Sequence, residues 1–254
     1  MSTSAVSGYS LPLDRALVLA GLVHARQKRK GTAVPYLTHP VHVAMILARL
    51  GYPEPLLVAA VLHDVLEDLE PEDQGLRRAL RETFPEAFGR VGEDRAGFRR
   101  AVEAFLESSF GATVLRLVRE LTDEKCRPDG TRLPWHEAKR RAHERLARTA
   151  TAEEKVGVKG ADALHNARQV VNDLEAHGLP MMRRFNASPE DTLRHYATVW
   201  QVAVARLGAG VPLVVELGTA VADLARTLDA HFMAAHDRVH QVMREVRGPA
   251  GGPS

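Results

Sequence analysis

Helix signals recur along the whole chain, and no segment alternates apolar and polar residues with a period of two. That combination leaves little room for a sheet. The abundance of Ala, Leu, Arg and Glu points the same way, and so does an aromatic content of only 5%. An all-α fold is expected. The chain of 254 residues is long enough to bury a sizeable core.

The punctuation predicts where the helices lie. Asp14 is expected to cap a helix running to about Lys30, followed by a loop over residues 31–38. Pro40 suits the first turn of a helix ending near Gly51. Pro53 and Pro55 open the next helix, expected to run to about Leu69. Residues 71–109 are charged and helix-prone with Gly and Pro breaks, and read as a helical insertion. Residues 110–121 form a further amphipathic helix. A turn-rich loop over residues 126–134 precedes a basic helix over 135–148. A helix over 152–176 follows, and Ser188 caps the next one ahead of Pro189. The runs Val61 to Leu66 and Val211 to Val215 fit buried helix turns better than strands. Helices fill the rest to about Arg247. The expected organisation is a flexible start over 1–11, one domain over 12–247 and a flexible Gly/Pro-rich tail over 248–254.

Some function classes are disfavoured by composition. A formal net charge of +2 does not argue for nucleic acid. No apolar run approaches the roughly 18 residues of a membrane span, and no leader is read at the start. Cys126 is the single cysteine, so thiolates cannot build a metal site. A cytoplasmic protein is expected, with a small-molecule partner, no nucleic acid and no membrane. The sequence leaves the oligomeric state open.

Three segments carry candidate chemistry. They are Tyr36-Leu37-Thr38-His39-Pro40, Leu62-His63-Asp64-Val65-Leu66-Glu67-Asp68, and Lys159-Gly160-Ala161-Asp162-Ala163-Leu164-His165-Asn166. At about 100° per residue, His63, Asp64, Glu67 and Asp68 share one sector of a helix. Val58, Leu62, Val65, Leu66 and Leu69 fall on the other side. Ala60 lies in the polar sector and leaves room beside it. Such a sector reads either as a solvated face or as a metal-binding one. In the third segment, Asp162 and Asn166 share a face with Lys159. His165 sits next to that face, and packing or capping accounts for it better than ligation. Taken together, two imidazoles and two carboxylates from three places suit a borderline divalent ion such as Mn2+, Fe2+ or Zn2+. The basic run Arg26-Gln27-Lys28-Arg29-Lys30 reads either as a solvated helix end or as a phosphate clamp beside His39. The cluster Lys139-Arg140-Arg141 with Arg145 and Arg148 reads mostly as a solvated face, with phosphate contact as the alternative.

These segments, together with His24 to Thr32, Pro35 to Pro40, Ala59 to Asp68 and Val158 to Arg168, resemble the RelA/SpoT-type HD hydrolase domain. The stretch from Phe110 to Thr122 matches between the last two motifs, and the likeness covers residues 12–205. The resemblance implies an all-helical HD-domain bundle that binds Mn2+. It implies removal of the 3′-pyrophosphate from ppGpp and pppGpp, giving GDP or GTP and pyrophosphate. By motif position it makes His39, His63, Asp64 and Asp162 the metal ligands, and Glu67 and Asp68 the acidic pair that activates water. Arg29 and Lys30 match residues that hold the base and phosphates, Asn166 one that contacts the sugar, and Lys159 would help to neutralise phosphate charge. The chain has no room for synthetase and regulatory domains, and so resembles a stand-alone small alarmone hydrolase. It departs from the family in a longer loop at 31–35, a longer link at 71–109, and Gly160 and Ala163 in the third motif. Two other readings stay open: an HD phosphohydrolase of another nucleotide, including an adenine alarmone, and a non-catalytic nucleotide- or partner-binding module.

Overall fold

A computed structural model describes the backbone of residues 8–92, 94–127, 131–148 and 152–247, with side chains to residue 233 except that of residue 152. Ten α-helices and one 3-10 turn make up the described residues, which contain no strand, as the all-α expectation requires. Among the described residues the only extended pairings are two isolated bridges, Lys28 with Pro35 and Cys126 with Arg132. No described helix is long and apolar enough to cross a membrane.

Several boundaries move from where the sequence put them. Helix α1 (Leu11–Val23) is capped by Ser10, whose hydroxyl accepts from the Leu13 N–H, and not by Asp14. It stops at His24. The basic run Arg26 to Lys30 therefore sits in a loop, closed by the Lys28–Pro35 bridge and turned at Gly31 with φ 73°. Helix α2 (Thr38–Arg49) carries His39 in its first turn and buries it.

Helix α3 (Glu54–Leu62) is buried on every side from Leu56 onward, so it is a core helix without a solvated face. The expected continuation to Leu69 does not occur. The backbone leaves the helix at His63 and passes through turns to Asp68. The cause is local: the Val65 N–H bonds to Leu62 O at i−3, and His63 Nδ1 lies 2.7 Å from the Ala60 carbonyl. One helical bond survives beyond, from Asp68 N to Asp64 O. Ala60 is fully buried in core packing, and it meets His63 through its carbonyl.

Residues 71–109 form α4 (Gln74–Thr83), the short α5 (Pro85–Phe88) and the first part of α6 (Arg95–Leu121). Phe84, Phe88, Phe98 and Phe105 pack here as a ring cluster. The buried Arg77 pins the link, donating to Pro71 O at 2.5 Å and Gly92 O at 2.8 Å, with its guanidinium 4.2 Å from the Phe98 ring. Helix α6 kinks at Gly111, whose φ of 86° is reached easily only by glycine. The sequence break between 109 and 110 falls at this kink.

Helix α7 (Trp135–Arg148) leads to α8 (Ala152–His177), which packs on α2, α3, α6, α7, α9 and α10 and is the centre of the fold. A 3-10 turn (Leu179–Arg184) follows. Helix α9 (Pro189–Leu207) starts at the expected cap, Ser188, whose hydroxyl accepts from the Asp191 N–H. Val211 to Val215 lie at the start of α10 (Pro212–Arg247), as turns of a helix. Of the segments expected to be flexible, 1–11 and 248–254, residues 1–7 and 248–254 lie outside the described residues, while Ser10 and Leu11 already form the cap and first residue of α1.

Candidate metal centre

Helices α2, α3 and α8 bring the three segments to one point. Nitrogens of His39 and His63 and a carboxylate oxygen of Asp162 all lie within 4.8 Å of one another. His39 Nε2 is 3.1 Å from Asp162 Oδ1. His63 Nε2 is 3.0 Å from Asp64 Oδ2, which also accepts from the Tyr36 hydroxyl at 2.6 Å. Asp64 thus touches the cluster through His63, while the tight three-donor group is His39, His63 and Asp162.

The second nitrogens of the two histidines are already engaged. His63 Nδ1 meets the Ala60 carbonyl, and His39 Nδ1 is 2.8 Å from His165 Nδ1. Burial first, and then the His39 and Arg29 charges, push His165 down to about 3, so it is neutral and can accept from His39. That fixes both Nε2 atoms toward the carboxylates, the arrangement expected around a metal-binding imidazole. Burial also lowers His39. Burial pushes His63 down too, but Asp64 and Asp162 outweigh it and lift it to about 9. A proton and a cation therefore compete for the same nitrogen. Burial raises Asp64 and Asp162, but the neighbouring cations prevail and hold both well below the usual carboxylate range, His63 chiefly for Asp64 and Lys159 for Asp162. Two imidazoles and two ionised carboxylates fit a divalent cation.

Around this cluster the expected contact residues divide. Asn166 donates to Asp162 Oδ1 at 2.6 Å and accepts from Arg29 at 2.7 Å, so a chain of polar contacts runs from Arg29 to the donor cluster. Lys159 Nζ is 3.6 Å from Asp162 Oδ2. Arg29 and Lys30 line a cavity of about 600 Å3 whose wall includes Asp162 and Asn166. Lys30 donates to Asn186, which also lines the cavity, at 3.1 Å.

Glu67 and Asp68 stand outside the tight donor group but beside it, and Glu67 is close enough to feel the Asp64 charge. Lys125 pairs with both, at 3.2 and 2.9 Å, and Glu67 also accepts the Asp123 N–H at 3.0 Å. Glu67 lines a separate open groove with Asp123, Lys125 and Arg145. Burial, with Asp64 and Asp123, raises its pKa, so it is a stronger base than a free carboxylate.

Some contributors went unmarked in the sequence. Tyr36 was quoted within its motif without a role, although it sits one helical turn before His39. Asp123 ties Lys139 (3.0 Å) and Arg145 (3.4 Å) to the site, so those two are not simply solvated. Lys139 also lines the cavity. Spacing offered one signal: Trp135, Lys139 and His143 recur every four residues on one stripe of α7.

The sequence profile of the HD domain family matches residues 16–184. The guanosine-3′,5′-bis(diphosphate) 3′-pyrophosphohydrolase of Aquifex aeolicus is 47% identical over 58 residues, 23% of this chain and 8% of that protein. The bifunctional (p)ppGpp synthase/hydrolase SpoT of Escherichia coli is 34% identical over 110 residues, 43% of this chain and 15% of that protein. The matches thus cover only a small part of these relatives. Among solved structures, a metazoan orthologue of SpoT described as hydrolysing ppGpp superposes with a TM-score of 0.56 at 24% identity, covering 85% of this chain and 96% of that one. That likeness shows a shared fold.

Proposed function

This chain belongs to the HD domain family, and from that premise we propose that it is a metal-dependent hydrolase removing the 3′-pyrophosphate of ppGpp and pppGpp. The observation that carries the reading is the His39–His63–Asp162 donor cluster at the wall of a cavity bordered by Arg29, Lys30 and Lys139. A cluster of metal donors next to cations suits a phosphorylated substrate. The sequence relatives named for this reaction point to the guanosine alarmone. Residues 12–247 are read as one hydrolase domain, with 71–109 as an insertion.

His39, His63, Asp64 and Asp162 would hold the ion, with Mn2+ as the native metal. When bound, it supplies Lewis acidity at the phosphate and makes water a better nucleophile. Arg29 and Lys30 bind the nucleotide from the loop before α2, and Asn166 orients the sugar. Lys159, buried between Asp123 and Asp162, balances negative charge beneath the site. Water adds to the phosphorus on the ribose 3′ oxygen, and the bond to that oxygen breaks. Pyrophosphate leaves with the new hydroxyl, and the ribose oxygen takes a proton. Glu67, raised in basicity by burial, accepts the proton of the attacking water, and Lys125 orients it together with Asp68.

The test is incubation of the purified protein with Mn2+ and ppGpp, with GDP and pyrophosphate identified as products. Chelation with EDTA and the His63→Ala variant should each abolish release while the protein stays helical by circular dichroism. Full release in either case would end the metal assignment, and no cleavage by the wild type would end the substrate assignment.

A further inference from the structure

The inward stripe of α7 meets α9 through two histidines that the mechanism above does not use. Trp135 and Lys139 line the nucleotide cavity, while His143 borders a smaller polar cavity of about 40 Å3 behind it. His195 of α9 lines both. Its Nδ1 is 2.8 Å from His143 Nε2, and the two rings stack with centroids 5.0 Å apart and 18° between planes. Trp135 meets the His195 ring edge-on at 6.1 Å. Among the described residues no protein group bonds to His195 Nε2, and that atom is not sealed in the interior.

The contact between the rings fixes what Nε2 can do. Burial first, and then the Lys139 charge, push both imidazoles down, His195 to about 3, so each carries one proton. Lys139, Lys155, Lys159 and Arg145 border the small cavity beside His143, against the three acids Glu120, Asp123 and Asp162. A ring nitrogen turned toward that excess of cations keeps its lone pair. A proton on His143 Nε2 is donated to His195 Nδ1. His195 must in turn carry its own proton on Nε2.

We propose that His195 is a substrate-binding residue whose Nε2–H, fixed by His143, donates to a phosphate oxygen of the nucleotide held beside Lys139. A neutral donor next to a lysine grips an anion without adding a charge that titrates in the working range. The inference rests on the hydrolase reading and adds a second grip in the cavity that Arg29 also lines.

Steady-state hydrolysis of ppGpp and calorimetric binding of ppGpp without metal test it together. His195→Phe keeps the ring volume and removes the donor. It should raise KM and weaken binding by roughly tenfold, the scale of one hydrogen bond to a charged group, with kcat within twofold. His195→Gln, which can still donate, should restore most of the loss. His143→Phe, which cannot donate to Nδ1, should raise KM in the same direction. An unchanged KM in His195→Phe, or equal impairment in His195→Gln, would overturn the proposal while wild-type cleavage upholds the hydrolase reading. If the wild type neither binds nor cleaves ppGpp, both fall.

Discussion

Replacing Tyr36 by Phe removes one oxygen and leaves the ring packing in place. The lost contact is the hydroxyl donated to Asp64 Oδ2 at 2.6 Å, in the short range of bonds to an ionised acceptor. Such a bond contributes about 1.5–3 kcal/mol net. The same oxygen lies 3.0 Å from His63 Nε2, where a proton and a cation compete. Once a cation displaces that proton, the Tyr36 hydroxyl still holds the carboxylate in place. Its loss should appear as weaker metal binding, because an unheld Asp64 must be ordered when the ion arrives. At about 1.4 kcal/mol per factor of ten, the lower bound corresponds to roughly tenfold. Partners of this kind typically matter by about 10–100-fold in metal affinity. Tyr36→Phe should therefore raise the Mn2+ dissociation constant, measured by calorimetry, about tenfold or more. Turnover at saturating metal should recover most of its wild-type value. A dissociation constant within twofold of wild type would refute the reasoning and leave Asp64 outside the metal's reach.

Two further outcomes follow from contacts described above. Glu67→Gln should bind Mn2+ as tightly as wild type, because Glu67 lies outside the tight donor cluster, while kcat falls about a hundredfold or more; lost metal binding would instead make Glu67 a ligand. Arg77→Met should destabilise the fold by about 2–5 kcal/mol, because it strips the Pro71 and Gly92 carbonyls of a buried donor, and a urea midpoint equal to wild type would contradict this.

What could be read from the chain alone depended on the range of the cause. Ser188 was legible because a cap acts over three residues. The break in α6 was legible to within two residues, although Gly111, which makes the kink, was read as part of the helix after it. The end of α3 was not legible. Val65 and Leu66 continue the apolar spacing, so the periodic pattern runs past His63 while the backbone turns away. The wheel still grouped His63 with Asp64, and the turn keeps them in contact, although it sends Glu67 and Asp68 toward Lys125. The convergence of His39, His63 and Asp162 followed from motif order. Their supporting partners did not, because His165, Tyr36 and Asp123 acquire meaning only through contacts across the fold. Lys139 was only half legible for the same reason: a cation on a basic helix reads as solvated or as a phosphate contact until the acid facing it is known.

Asp123 faces two ways. Its backbone N–H holds Glu67, and its carboxylate holds Lys139 and Arg145 of α7. The helix forming one wall of the nucleotide cavity is thereby strapped to the segment that carries the proposed base. One residue is thus the joint between the cavity wall and the turn that carries Glu67, so a substitution at Asp123 disturbs both at once.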